Sequence, residues 1–173
     1  MKTLAEHLIQ YAHYHRDQRN IYTHFAGIPL IVIALFSLLS FEITAGITAT
    51  HLLLAGSLLF YFRLSLSMGL VMLVFSASCY ALALQLVGLE STSAWLGSSM
   101  AVFVFGWVLQ FIGHYFEGKK PAFVDDLVGL LIGPLFVMAE VLFLLGFAKS
   151  LQQQIDQSAG PCLLYTSDAA DEG

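Results

Sequence analysis

A few polar residues stand out in a chain otherwise built for lipid. His15, Asn20 and His24 precede the first long apolar run, and Gln110, His114 and Glu117 close the fourth. Imidazole is the commonest protein ligand for a transition metal. Three neutral imidazoles bind Fe(II), Zn(II) or Mn(II) and leave positions open for water, oxygen or substrate. Brought to one face of a membrane, His15, His24 and His114 would make a metal site able to act on a lipid. Singly, each also reads as a helix cap or an interfacial side chain. The shared membrane side and the shared loop pattern are what point to a joint site.

Other side chains cluster with them by spacing. Gln110, His114 and Glu117 stand at i, i+4 and i+7 on one helix face, with Trp107 one turn earlier. Glu117 is placed to be a fourth ligand, or an acceptor for the second ring nitrogen of a liganding histidine. Asn20, four residues before His24, is placed to orient it or to serve as a turn residue. Arg16, Arg19, Lys119 and Lys120 could hold a fatty-acid carboxylate or a lipid phosphate, although membrane anchoring explains them equally. Glu140 lies inside the fifth apolar run, where an ionisable group is costly and is a functional candidate by default. Gly129 and Gly133 have a helix-packing spacing, Pro134 suggests a kink, and Asp125 and Asp126 suit an N-terminal cap. His7, His13 and His51 are read as non-ligands.

The elements that must position these residues are helices. Thr3-Leu4-Ala5-Glu6 fits a capping box, and Leu4, Leu8, Tyr11 and His15 follow on one stripe, predicting an interfacial amphipathic helix over 3–15. On that wheel His13 lies about 200° from His15 and faces water. His15 and His24 are nine residues apart and would oppose each other on one straight helix, so a shared metal requires a turn within 16–20. Apolar runs at 25–41, 46–62, 64–87, 94–113 and 127–147 approach the roughly 20 residues needed to cross a bilayer. The second is short and meets the third in a tight hairpin at Arg63.

Composition agrees. The 173 residues are 58% hydrophobic and 11% charged, with mean hydropathy +0.78; soluble domains carry about 25% charged residues. The expected fold is an all-α integral membrane protein with about five apolar helices, four to five of them spanning, plus the N-terminal interfacial helix. Residues 1–150 form a single membrane domain and 151–173 a tail, with 158–173 expected to be disordered; Leu163–Gly173 resembles translated adapter read-through. A net charge of -5 gives no footprint for nucleic acid. Cys79 and Cys162 make neither a disulfide framework nor a zinc motif. The N-terminus lacks the apolar centre of a secretory signal.

The chain has seven Lys and Arg residues. Lys2, Arg16, Arg19, Arg63, Lys119 and Lys120 fall on one side of the expected spans, and Lys149 is the exception. The positive-inside rule makes that side cytoplasmic, and it also holds His15, His24 and His114. No G-x-S-x-G, Walker A, H-E-x-x-H or dinucleotide fingerprint occurs. The multiple histidine boxes of membrane di-iron desaturases are missing too.

Two blocks carry a family resemblance. One reads Tyr11-x3-His15-x4-Asn20-x3-His24-x2-Gly27-x-Pro29, the other Trp107-x2-Gln110-Phe111-Ile112-Gly113-His114-x3-Glu117-x3-Pro121-Ala122. Over about residues 4–148 the chain resembles the Mpo1-like family. The resemblance implies an Fe(II)-dependent dioxygenase that performs α-oxidation of 2-hydroxy fatty acids with O2, giving acids one carbon shorter. It implies His15, His24 and His114 as the essential histidines, with Glu117, Asn20 and Gln110 beside them. It also implies a lipid membrane as the setting, the endoplasmic reticulum in a eukaryote or the cytoplasmic membrane in a bacterium. Two rival readings are a non-catalytic lipid-binding or scaffold protein and a zinc-dependent membrane hydrolase. Oligomeric state is left open.

Overall fold

The computed structural model describes residues 2–121 and 128–162. Asp125, Asp126 and residues 163–173 lie outside them. The described chain is helical: α1 (Leu4–Ala12), α2 (Gln18–Leu38), α3 (Ala49–Leu64), α4 (Leu66–Val87), α5 (Thr92–Glu117), α6 (Gly129–Leu144) and α7 (Lys149–Ala159). A small antiparallel hairpin, β1 (Glu42–Thr44) and β2 (Ile47–Thr48), joins α2 to α3. The five apolar runs are α2 to α6. The hairpin was not expected; Ala45 and Gly46, both at positive φ, make its two-residue turn.

Helix length decides which runs can cross a membrane. At 1.5 Å per residue, α2, α4 and α5 reach roughly 31, 33 and 39 Å, enough for a hydrocarbon core of about 30 Å. These three are long and apolar enough to span, by length and composition. The 16-residue α3 and α6 reach only roughly 24 Å. α6 meets α7 at 115°, as a broken span or a re-entrant segment. Gly146 and Ala148, both at positive φ, stand in the break. α3 and α4 pack on each other through a one-residue connection. There, extended Ser65 caps α4 by accepting the Met68 N–H at 3.4 Å.

Two boundaries differ from the periodicity in a way that matters for the site. α1 ends at Ala12, three residues early, and the chain turns before α2. α2 begins at Gln18, seven residues ahead of its apolar run. Asp17 opens it: its carboxylate accepts the Arg19 N–H at 2.8 Å and its carbonyl the Ile21 N–H at 3.1 Å. α5 likewise runs on to Glu117. His24 and His114 therefore sit within helices, held by full backbone ladders.

The chain forms two compact units, Met1–Phe25 with Leu109–Gly173, and Ala26–Val108. In the second unit Phe36, Cys79 and Ala83 form a buried cluster. Polar side chains of this unit pair with one another. Ser37 Oγ bonds Ser99 Oγ at 2.7 Å, and the Trp95 indole donates to the Ser37 carbonyl at 3.2 Å and hydroxyl at 3.0 Å. At Gly106 a Cβ would crowd Ile31 and the Gly27 carbonyl, so α2 and α5 approach through small residues. In the first unit α1 packs on α6 and α7. α7 was not expected in the tail: Ile155 is buried, and Cys162 packs against Ile21 and Phe25.

Candidate metal centre

The first unit gathers the three histidines. α1 starts with the Thr3–Glu6 capping box and buries Leu8, Tyr11 and Ala12. The turn after it drops His15 into the interior at 0% exposure, while His13 stays exposed. His24 from α2 and His114 from α5 are 1% and 7% exposed. One ring nitrogen from each lies within 4.8 Å of the others. The ring centroids are 4.6 Å (His15–His24), 4.9 Å (His15–His114) and 5.1 Å (His24–His114) apart, and the planes cross at 71° to 81°.

Hydrogen bonding fixes the tautomers of two rings. His15 Nδ1–H donates to the Tyr11 carbonyl and His24 Nδ1–H to the Asn20 carbonyl, each at 2.8 Å. Burial, and next the charge of neighbouring His24, holds His15 well below the usual imidazole range, so this ring is neutral. With Nδ1 protonated, Nε2 carries a lone pair. His15 Nε2 and His24 Nε2 face each other at 3.1 Å, an arrangement that a shared cation relieves. Metal–nitrogen bonds of about 2.1 Å at tetrahedral angles put two nitrogens about 3.4 Å apart, close to this separation. His114 Nδ1 is buried without a hydrogen-bond partner among the described residues. All three residues thus fit a metal ion by donor type, and His15 and His24 also by tautomer.

Glu117 does something the helical spacing did not reveal. It was expected as a ligand or as an acceptor for a histidine ring. Its carboxylate takes four hydrogen bonds from the turn before α2 and the first turn of α2. These are Arg16 N–H at 3.1 and 2.9 Å, Asp17 N–H at 2.8 Å and Asn20 Nδ2 at 3.0 Å. Asn20 orients His24 through its backbone carbonyl, and its side chain joins Glu117 to the Tyr14 carbonyl. The acidic group therefore ties the end of α5 to the turn that carries His15 and starts the helix of His24.

Three supporting residues carried no chemical signal in the sequence. Tyr11 stacks flat on His15, centroids 4.1 Å apart and planes 1° from parallel, and Phe136 of α6 tilts against both rings. At Gly113 a Cβ would overlap Thr23 Oγ1 and Asn20 Oδ1, so only glycine lets α5 approach α2 where His24 meets His114. Gly113→Ala should cost about 1–3 kcal/mol of stability by overpacking and lower metal affinity about tenfold. Thermal unfolding and metal titration of this variant check it; wild-type values in both would show that α2 and α5 have room to spare.

The remaining candidates separate. Gln110 is 5% exposed and its Nε2 has no hydrogen-bond partner among the described residues. Arg16 reaches away to α7, to Asp156 Oδ1 and the Ile155 carbonyl, both at 3.5 Å. Arg19 grips Asp17 at 3.0 and 2.8 Å and lies over the Phe116 ring. Lys119 donates to the His13 carbonyl at 2.7 Å. Lys120 is exposed. Glu140 is buried in α6, one turn beyond Phe136. His51 caps α3 with Thr48 and contacts Tyr80, outside this unit.

A helical chain with membrane-length apolar helices and a buried three-histidine cluster defines a class, and comparison with known proteins narrows it. The family model described as 2-hydroxy-palmitic acid dioxygenase Mpo1-like matches residues 1–145, and the chain belongs to the Mpo1-like family. It is 31% identical over 150 residues to the 2-hydroxy-palmitic acid dioxygenase MPO1 of Saccharomyces cerevisiae, covering 84% of this chain and 83% of that protein. No solved structure matches it significantly.

Proposed function

We propose that this chain is an Fe(II)-dependent dioxygenase that converts 2-hydroxy fatty acids by α-oxidation into acids one carbon shorter. The observation that carries the reading is the buried cluster in which His15 and His24 turn Nε2 lone pairs on each other at 3.1 Å beside His114. The activity named for the yeast relative supports the substrate class. Iron would supply the Lewis-acid and one-electron redox chemistry that O2 activation requires, which redox-inert zinc does not. The residues of the chain do the rest. Tyr11 and Asn20 carbonyls hold the imidazole tautomers. Glu117 and Gly113 set the spacing between the histidine-bearing segments. Tyr11 and Phe136 cover His15 and exclude water from that side.

We place this site on the cytoplasmic side of a single multi-pass membrane domain over 1–150. The start of α2 and the end of α5 both carry site residues and so share a face. If α2, α4 and α5 all cross, α3 must cross as well to bring the chain back, giving four spans, with Arg63 on the face of the histidines. Cysteines introduced at 19, 63 and 119, all exposed positions, in a background lacking Cys79 and Cys162 should all label from the inside. External labelling of one with internal labelling of the others breaks this topology.

The activity test is direct. Protein reconstituted with Fe(II) under anaerobic conditions should retain stoichiometric iron. On admission of air it should consume oxygen with 2-hydroxypalmitate and release an acid one carbon shorter. A protein that holds no iron, or that turns over lipid without oxygen uptake, sinks the reading.

A further inference from the structure

Gln110 lies one helical turn before His114 on α5, so the two side chains leave the helix about 40° apart. The face they share is the one that meets α2: Gly113 abuts Asn20 and Thr23, and the His114 ring meets His24. Gln110 is buried on this face, and its Nε2 has no hydrogen-bond partner among the described residues. Buried amide donors are nearly always paired, and a bare one beside a cluster of metal-binding character calls for a ligand.

We propose that Gln110 is a substrate-binding residue that donates its Nε2–H to the carboxylate of the acyl substrate. This rests on the reading of the site as one for 2-hydroxy acids. Three of the four cations expected to hold that carboxylate are directed elsewhere, Arg16 to α7, Arg19 to Asp17 and Lys119 to the His13 carbonyl, and Lys120 is exposed. A neutral amide fixes the orientation of a carboxylate without placing a second cation next to a metal dication. A buried site built to hydrogen-bond a substrate group rejects analogues lacking it, because its own donor is then left bare.

The test separates carboxylate from hydroxyl recognition, and both from turnover. Full-length protein loaded with Fe(II) anaerobically in detergent is titrated calorimetrically with 2-hydroxypalmitate, palmitate and 1,2-hexadecanediol. Gln110→Leu should weaken both acids at least about tenfold and leave the diol unchanged. Gln110→Glu, which sets a carboxylate against a carboxylate, should weaken the acids further still. Iron content and thermal unfolding should match wild type. Equal weakening of all three ligands, weakening confined to the hydroxyl-bearing pair, or no weakening overturns the assignment. Oxygen uptake by the wild type is scored separately. Acid-selective weakening by Gln110→Leu in a protein that consumes no oxygen would support the Gln110 contact and overturn the dioxygenase reading alone.

Discussion

Alanine at His15, His24 or His114 is expected to reduce bound iron to background and to abolish oxygen uptake, each on its own. Three ring nitrogens lie within 4.8 Å of one another, and two of the rings have their tautomers locked by backbone carbonyls. Removing one leaves a two-ligand site in which the other imidazoles still face an empty centre. Such a pair holds a dication poorly, because the coordination lost is replaced only by water. The loss should not be an unfolding artefact. These residues gain little by facing one another without a cation, so the apoprotein of each variant should keep its helical circular dichroism. His15→Ala should be the least stable of the three, since Tyr11 loses its stacking partner. His13→Ala serves as the control. His13 is exposed and Lys119 bonds its backbone carbonyl rather than its ring. Its replacement should change stability by no more than about 0.5 kcal/mol and leave iron and rate at wild-type values. Full iron in any of the three cluster variants would refute a shared centre.

The same residues show what a sequence can reveal and what it cannot. The five apolar runs became α2 to α6 because such helices are written in local hydrophobicity, although only α2, α4 and α5 are long enough to span. The Thr3–Glu6 capping box formed because its bonds close within four residues. The opposed directions of His13 and His15 match the helical wheel, but both residues lie beyond the end of α1, and the turn after Ala12 is what buries His15. Glu117 was not readable. Its partners are about one hundred residues away, and a helical wheel places a side chain on a face without saying what that face meets. The partners of Arg16 and Lys119 stayed hidden for the same reason, lying more than one hundred residues away, whereas Arg19 pairs with Asp17 two residues before it. α7 is short and polar, so local hydrophobicity does not announce it. Gly113 was in view as part of a motif, but its role became visible only when a missing Cβ could be set against Thr23 and Asn20.

Glu117→Ala should rank next after the histidine variants, and its effect should come through geometry rather than ligation. The carboxylate receives main-chain N–H groups of Arg16 and Asp17 and the Asn20 amide, all charge-assisted bonds. It also places negative charge at the start of α2, where the helix dipole favours it. Alanine leaves these part-buried donors without their acceptor, at a cost of about 1–3 kcal/mol for each one that water does not reach. The turn holding His15 then loosens, and metal affinity should fall by about 10–100-fold, the range seen when a partner outside the ligand set is removed. Glu117→Gln keeps one acceptor oxygen but turns an NH2 group towards the backbone donors, so it should fall between wild type and alanine. Cobalt substitution distinguishes positioning from ligation. If Glu117 only positions the turn, Co(II)-loaded Glu117→Gln at saturating metal should show the visible spectrum of the wild type, and saturating iron should restore most of the rate. A shifted cobalt spectrum would instead make Glu117 a fourth ligand, with its carboxylate leaving the backbone of Arg16 and Asp17 when metal enters.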